Sequence, residues 1–131
     1  MRILFTAVFV SVLCAALTGS GTAQTKQRVN FSTGSSSAEV KGSIRGYVYR
    51  DYIVRAAAGQ SGHIRLKSAN RFTVLTVFLP NGENVEGVAE VNEYNGELQV
   101  AGDYVVRVGM MRVEARRRNS AAKYLLSISI R

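Results

Sequence analysis

The chain has no tryptophan, one cysteine (Cys14), one proline (Pro80) and one histidine (His63) among 131 residues. A zinc site needs three or four Cys, His or carboxylate ligands, and a nucleophilic pair needs a base, so little metal or covalent chemistry can be built. His63 alternates with apolar residues at a strand start and reads as a surface residue. It is the sole imidazole available to Ser35, Ser36 and Ser37, a serine run that reads as a turn. No cofactor is expected.

Long apolar runs are also missing, except at the start. Met1-Arg2 gives a positive beginning, Ile3 to Leu17 is predominantly apolar, and Gly21-Thr22-Ala23 offers small residues for signal peptidase. Residues 1–23 are therefore expected to be a cleaved signal peptide, and 24–131 one exported domain. The apolar run is shorter than the roughly 20 residues a membrane span requires. Leu13 precedes Cys14 where a lipobox needs a small residue. Cleavage removes the only cysteine, so the domain must stand on its core without a disulfide. A domain of this size buries about 65% of its unfolded surface.

Basic residues dominate, but unevenly. Phe72 to Val106 contains no Lys or Arg and six acids: Glu83, Glu86, Glu90, Glu93, Glu97 and Asp103. The rest of the mature chain sets sixteen Lys and Arg against Glu39, Asp51 and Glu114. Such asymmetry implies a dipolar molecule if the fold keeps the two sets apart, and argues against a uniform nucleic-acid-binding surface. The glutamates could supply a carboxylate pair but read as a solvated stretch, and they lack EF-hand spacing; calcium binding there is the weakest of three functional readings.

Period-two alternation is what the chain has in abundance. Tyr124, Leu126, Ile128 and Ile130 alternate with Leu125, Ser127, Ser129 and Arg131, which sets an apolar row against a core. His63–Lys67 and Tyr104–Val108 follow the same pattern, and Phe72–Leu79 reads as a strand covered on both faces. Further candidates are Val29–Phe31, Ala38–Ile44, Tyr47–Ala57, Val85–Val91 and Glu97–Val100. The expectation is all-β: a single antiparallel β-sandwich of about eight short strands, with at most one helical turn between Met111 and Ser120.

The run Phe31-Ser32-Thr33-Gly34-Ser35-Ser36-Ser37-Ala38, followed by Gly42, Ile44, Gly46, Tyr47 and Tyr49, resembles the start of the bacterial periplasmic inhibitors of g-type (goose-type) lysozyme. The C-terminal half agrees through Gly102, Tyr104, Arg107-Val108, Arg112, Ala115-Arg116 and Lys123-Tyr124; Ala101 stands where that family carries Ser. The resemblance implies a β-sandwich without enzymatic activity of its own, whose protein partner is a lysozyme; a monomer is expected. It also implies contacts from Tyr47, Arg112 and Arg116; membrane insertion and nucleic acid are not expected, given the short apolar run and the uneven charge. An extended segment would put Arg112, Glu114 and Arg116 on one face with the acid between two guanidiniums, and a helix would still pair the arginines. Tyr104 and Glu114 complete the candidate partner-binding set. The bland alternative for Arg112 to Arg118 is a solvated basic turn. Gly102-Asp103-Tyr104 is also similar to a turn of pre-peptidase C-terminal modules, which implies instead an envelope domain holding anionic wall polymer or lipopolysaccharide.

Overall fold

The alternating segments fold into two four-stranded sheets. The computed structural model describes residues 25–131, so the expected signal peptide lies outside the described residues. In chain order the elements are β1 (Thr25–Arg28), β2 (Ser37–Arg45), β3 (Arg50–Ala56), β4 (Gln60–Ser68), β5 (Thr73–Phe78), β6 (Glu93–Leu98), β7 (Gly102–Met110), the one-turn helix α1 (Arg112–Ala115) and β8 (Ala121–Ile130). One sheet runs β1-β3-β7-β5 and the other β2-β8-β4-β6. We call them sheet A and sheet B.

The sandwich is antiparallel except where β1 pairs with β3 in parallel, Thr25 opposite Arg50. The chain leaves sheet A after β1, runs through β2 in sheet B and returns as β3, which is the crossover a parallel pair requires. Inward rows from both sheets meet in one core containing Leu75, Val77, Val106, Val108, Leu126 and Ile128, all fully buried. Each such side chain contributes about 1.5–3 kcal/mol through removal of apolar surface from water. Tyr52 and Tyr124 bring polar atoms into this core and satisfy them mutually by a hydroxyl–hydroxyl hydrogen bond. Burial first, and that hydrogen bond second, raise the Tyr124 pKa above the ordinary tyrosine range.

Several expected strands shift. β1 precedes Val29–Phe31, although the Val29 N–H still donates to the Ile53 carbonyl at 2.9 Å. The third strand starts at Arg50, because Gly46 and Tyr47 occupy a turn. Val85–Val91 is not a strand: it crosses the β5 edge through two isolated bridges, Leu75–Val91 and Phe78–Asn84. Positive φ at Gly87 (73°) and Glu90 (52°) breaks its ladder. The segment nevertheless blunts an exposed sheet edge, its Val85 N–H reaching the Val77 carbonyl at 2.9 Å. The expected Glu97–Val100 strand falls earlier, as β6.

Tyr104 is a correction to the candidate site. It points inward from β7 and is 3% exposed. Its hydroxyl donates to the Val100 carbonyl at 2.7 Å and accepts the Val100 N–H at 3.2 Å. Alternation with Val106 and Val108 puts it on the core side, where its polar tip closes the turn into β7. The adjoining Gly102 has φ 138°, and a Cβ there would lie 2.9 Å from Pro80 Cγ, so the turn requires glycine.

Candidate functional site

The outward row of sheet A carries a cross-strand ladder in which Asp51 opposes Arg107 and Arg107 opposes Thr76. Arg107 donates from Nε to Asp51 Oδ1 at 2.8 Å and from Nη2 to Oδ2 at 3.1 Å, a two-pronged pair matched to guanidinium geometry. The same guanidinium lies over the rings of Tyr49 and Phe78, 3.9 Å and 4.8 Å from their centroids. Asp51 raises the Arg107 pKa, through the hydrogen bond first. These contacts hold Tyr49 as part of a rigid platform.

Above it opens a cleft of about 220 Å³ lined by Tyr47, Tyr49, Glu90, Arg107, Met110 and Arg112 among others. Tyr47 enters from the β2–β3 turn. Gly46 adopts φ 54°, and its N–H donates to the Ser120 carbonyl at 3.1 Å, tying this turn to the segment after α1. Tyr47 is 64% exposed, and the other large exposed apolar side chains among the described residues are Val100 and Val113. Val113 belongs to α1, so apolar exposure concentrates at this corner.

α1 places the two arginines. The Ala115 N–H bonds the Met111 carbonyl at 2.9 Å and the Arg116 N–H bonds that of Arg112 at 3.1 Å, making Arg112 and Arg116 neighbours one turn apart. Both are exposed, and neither forms an ion pair with another described residue. Arg112 lines the cleft, whereas Arg116 stands outside its lining.

Glu114 does not sit between them. The helical turn rotates it away, where its carboxylate accepts from Asn70 Nδ2 at 3.4 Å and from Arg117 Nη1 at 3.3 Å. Asn70 also receives the Phe72 N–H at 3.0 Å and donates to the Ala121 carbonyl at 3.4 Å. Glu114 thus anchors α1 to the β4–β5 turn instead of presenting a charge to a partner.

The expected charge dipole is also broken up. Glu90 lines the cleft beside Arg112, Asp103 pairs with Arg28 at 2.9 Å, and Glu93 pairs with His63 at 2.8 Å. The Arg28 hydrogen bond holds Asp103 below the usual carboxylate range, and His63 does the same for Glu93. Among the described residues no three His, Cys, Asp or Glu side chains group as a metal site would need, and no helix is long and apolar enough to cross a membrane.

Of the residues singled out from sequence, the structure brings Tyr47 and Arg112 to one cleft with Arg116 a turn away, and it adds Glu90, Arg107 and Tyr49 to the cleft lining and Val113 to α1 nearby. Arg107 was legible only as part of a signature; its stacking role depends on cross-strand register, which no local spacing reveals.

Comparison with known proteins gives the corner its context. No family model matches the chain. It is 31% identical over 129 residues to an inhibitor of g-type lysozyme from Escherichia coli strain K12, covering 92% of each chain. Its fold matches the crystal structure of a periplasmic lysozyme inhibitor of g-type lysozyme from Aeromonas hydrophila with a TM-score of 0.71 and 31% identity, covering 82% of this chain and 96% of that one. The Salmonella Typhimurium counterpart gives a TM-score of 0.67 at 31% identity, over 84% and 100% of the two chains. Likeness over nearly the whole domain, in sequence and in fold, makes this chain a member of the family of inhibitors of g-type lysozyme.

Proposed function

We propose that this protein is an exported, periplasmic, monomeric inhibitor of g-type lysozyme that inserts the Tyr47–Arg112–Arg116 corner into the enzyme's active-site cleft. The observation that carries this reading is the convergence of Tyr47 and Arg112 on one open cleft, with Arg116 beside Arg112 and neither arginine held in an ion pair with another described residue. A lysozyme cleft presents a catalytic glutamic acid and further carboxylates. A guanidinium can bind such a group in two hydrogen bonds, strengthened as water is expelled. Tyr47, rigid and amphipathic, is suited to stacking in a sugar-binding subsite. Inhibition then follows from occupancy and neutralisation, with no chemistry performed by the inhibitor.

The platform adds preorganisation. Arg107 fixes Tyr49, Gly46 ties the Tyr47 turn to the segment after α1, and Glu114 with Asn70 fixes α1, so little ordering entropy is lost on association. Glu90 offers a carboxylate at the rim for the basic body of the enzyme, which favours correct orientation. The test is a muramidase assay with g-, c- and i-type lysozymes titrated by the mature protein. Stoichiometric inhibition of the g-type enzyme alone is expected. Inhibition of none ends the reading, and inhibition of another class alone moves its specificity.

A further inference from the structure

The opposite side of the sandwich carries charge of a different kind. On the outer face of sheet B, Lys41 of β2 and Lys67 of β4 both pair in register with Leu125 of β8, and Lys123 pairs with Ser43. Adjacent strands lie about 4.8 Å apart, so the Lys41 and Lys67 backbones are separated by about 10 Å across Leu125. Together with Arg50, which belongs to β3 of sheet A, these lysines line an open depression of about 770 Å³ that includes no acidic residue. None of the four cations forms an ion pair with another described residue. Like charges set across and diagonal to one another on a sheet repel. Lysine on an edge strand can be explained as protection against edge pairing, and Lys41 fits that account. Lys67 and Lys123 do not, because β4 and β8 are the interior strands of sheet B.

We infer that this depression is a second binding site, for a saccharide bearing two or more phosphate groups. Lysine acts on phosphate as a point charge, and four cations spread over this span suit more than one phosphate. Leu125 and the side-chain-free Gly42 offer an apolar floor for the C–H face of a sugar ring, and the volume lies within the range of sites for small ligands. Lys41, Lys67 and Lys123 lie on the outer face of sheet B, whereas the Tyr47–Arg112 cleft opens on that of sheet A, and the inference does not depend on lysozyme inhibition.

The experiment titrates the mature protein with glucose 1,6-bisphosphate by calorimetry at low and at high salt, beside glucose, inorganic phosphate and phosphatidylglycerol vesicles. Wild type should bind the sugar bisphosphate, more weakly as salt rises, and glucose not at all. Lys67→Ser with Lys123→Ser, both exposed positions, should weaken binding about tenfold or more while melting and any lysozyme inhibition stay unchanged. Three results would overturn the assignment: no binding of the bisphosphate at low salt, equal binding by the double variant, or binding to vesicles without binding to the sugar bisphosphate.

Discussion

The centre of sheet A and the α1 corner both present arginine to the outer surface, and they use it in opposite ways. Arg107 is bound at both ends: a carboxylate holds its guanidinium edge and two aromatic rings hold its face. Arg112 and Arg116, a few residues on, form no ion pair with another described residue, although Glu90 lines the same cleft as Arg112. A charge whose partner lies inside the molecule stiffens the frame, and a charge left without one is available to a partner outside. On the proposed reading, the contrast separates arginine that stiffens sheet A from arginine offered to the enzyme at the α1 corner.

The largest effect should come from emptying the corner. Arg112→Ala with Arg116→Ala should weaken inhibition by about 2–5 kcal/mol for each guanidinium desolvated against a carboxylate. Unfolding free energy should change by only about 0.5 kcal/mol per site, since both side chains are exposed. Inhibition constants beside urea unfolding curves check both halves. Next comes the frame. Arg107→Ala leaves Asp51, 3% exposed, without its cation, and should cost about 3 kcal/mol of stability in the same unfolding experiment. A stable Arg107→Ala protein would abolish the contrast between the two regions.

Tyr47→Ala sharpens it at smaller scale. Loss of an exposed aromatic anchor should weaken inhibition by about 2 kcal/mol, roughly thirtyfold, and leave the melting temperature unchanged. Smaller still is the acid limb of stability. Asp103 and Glu93 have lowered pKa values, so they bind protons less readily folded than unfolded. Their stabilisation is complete above the ordinary carboxylate range and is lost as pH falls through the lowered values. Asp103→Asn should therefore flatten the decline of melting temperature below about pH 4, where an unperturbed carboxylate titrates.

Much of the frame was legible because a sheet writes itself into sequence with period two. β8, β4 and β7 follow their alternation, and the glycines at 46 and 102 mark turns that adopt positive φ. Val85–Val91 misled because its valines pack against the core and bond the β5 edge without forming a continuous ladder. Tyr104 misled because a residue in a signature can be kept for the turn it closes. Glu114 was misjudged because one turn of helix, too short for a periodic signal, decides which way it points. The arginines were legible as a pair under either geometry, but the withdrawal of Glu114 from between them emerged only with Asn70 and Arg117 in place around it.

The central claim is that the corner built by Tyr47, Arg112 and Arg116 is where the enzyme sits. Backbone amide shifts of the isotope-labelled mature protein, followed as unlabelled g-type lysozyme is added, test it most directly. The account predicts perturbation concentrated at residues 45–49, 90 and 107–118, with the outer face of sheet B around Lys41, Lys67 and Lys123 unmoved. Perturbation centred on the sheet B face, with the α1 corner unchanged at saturation, would contradict it.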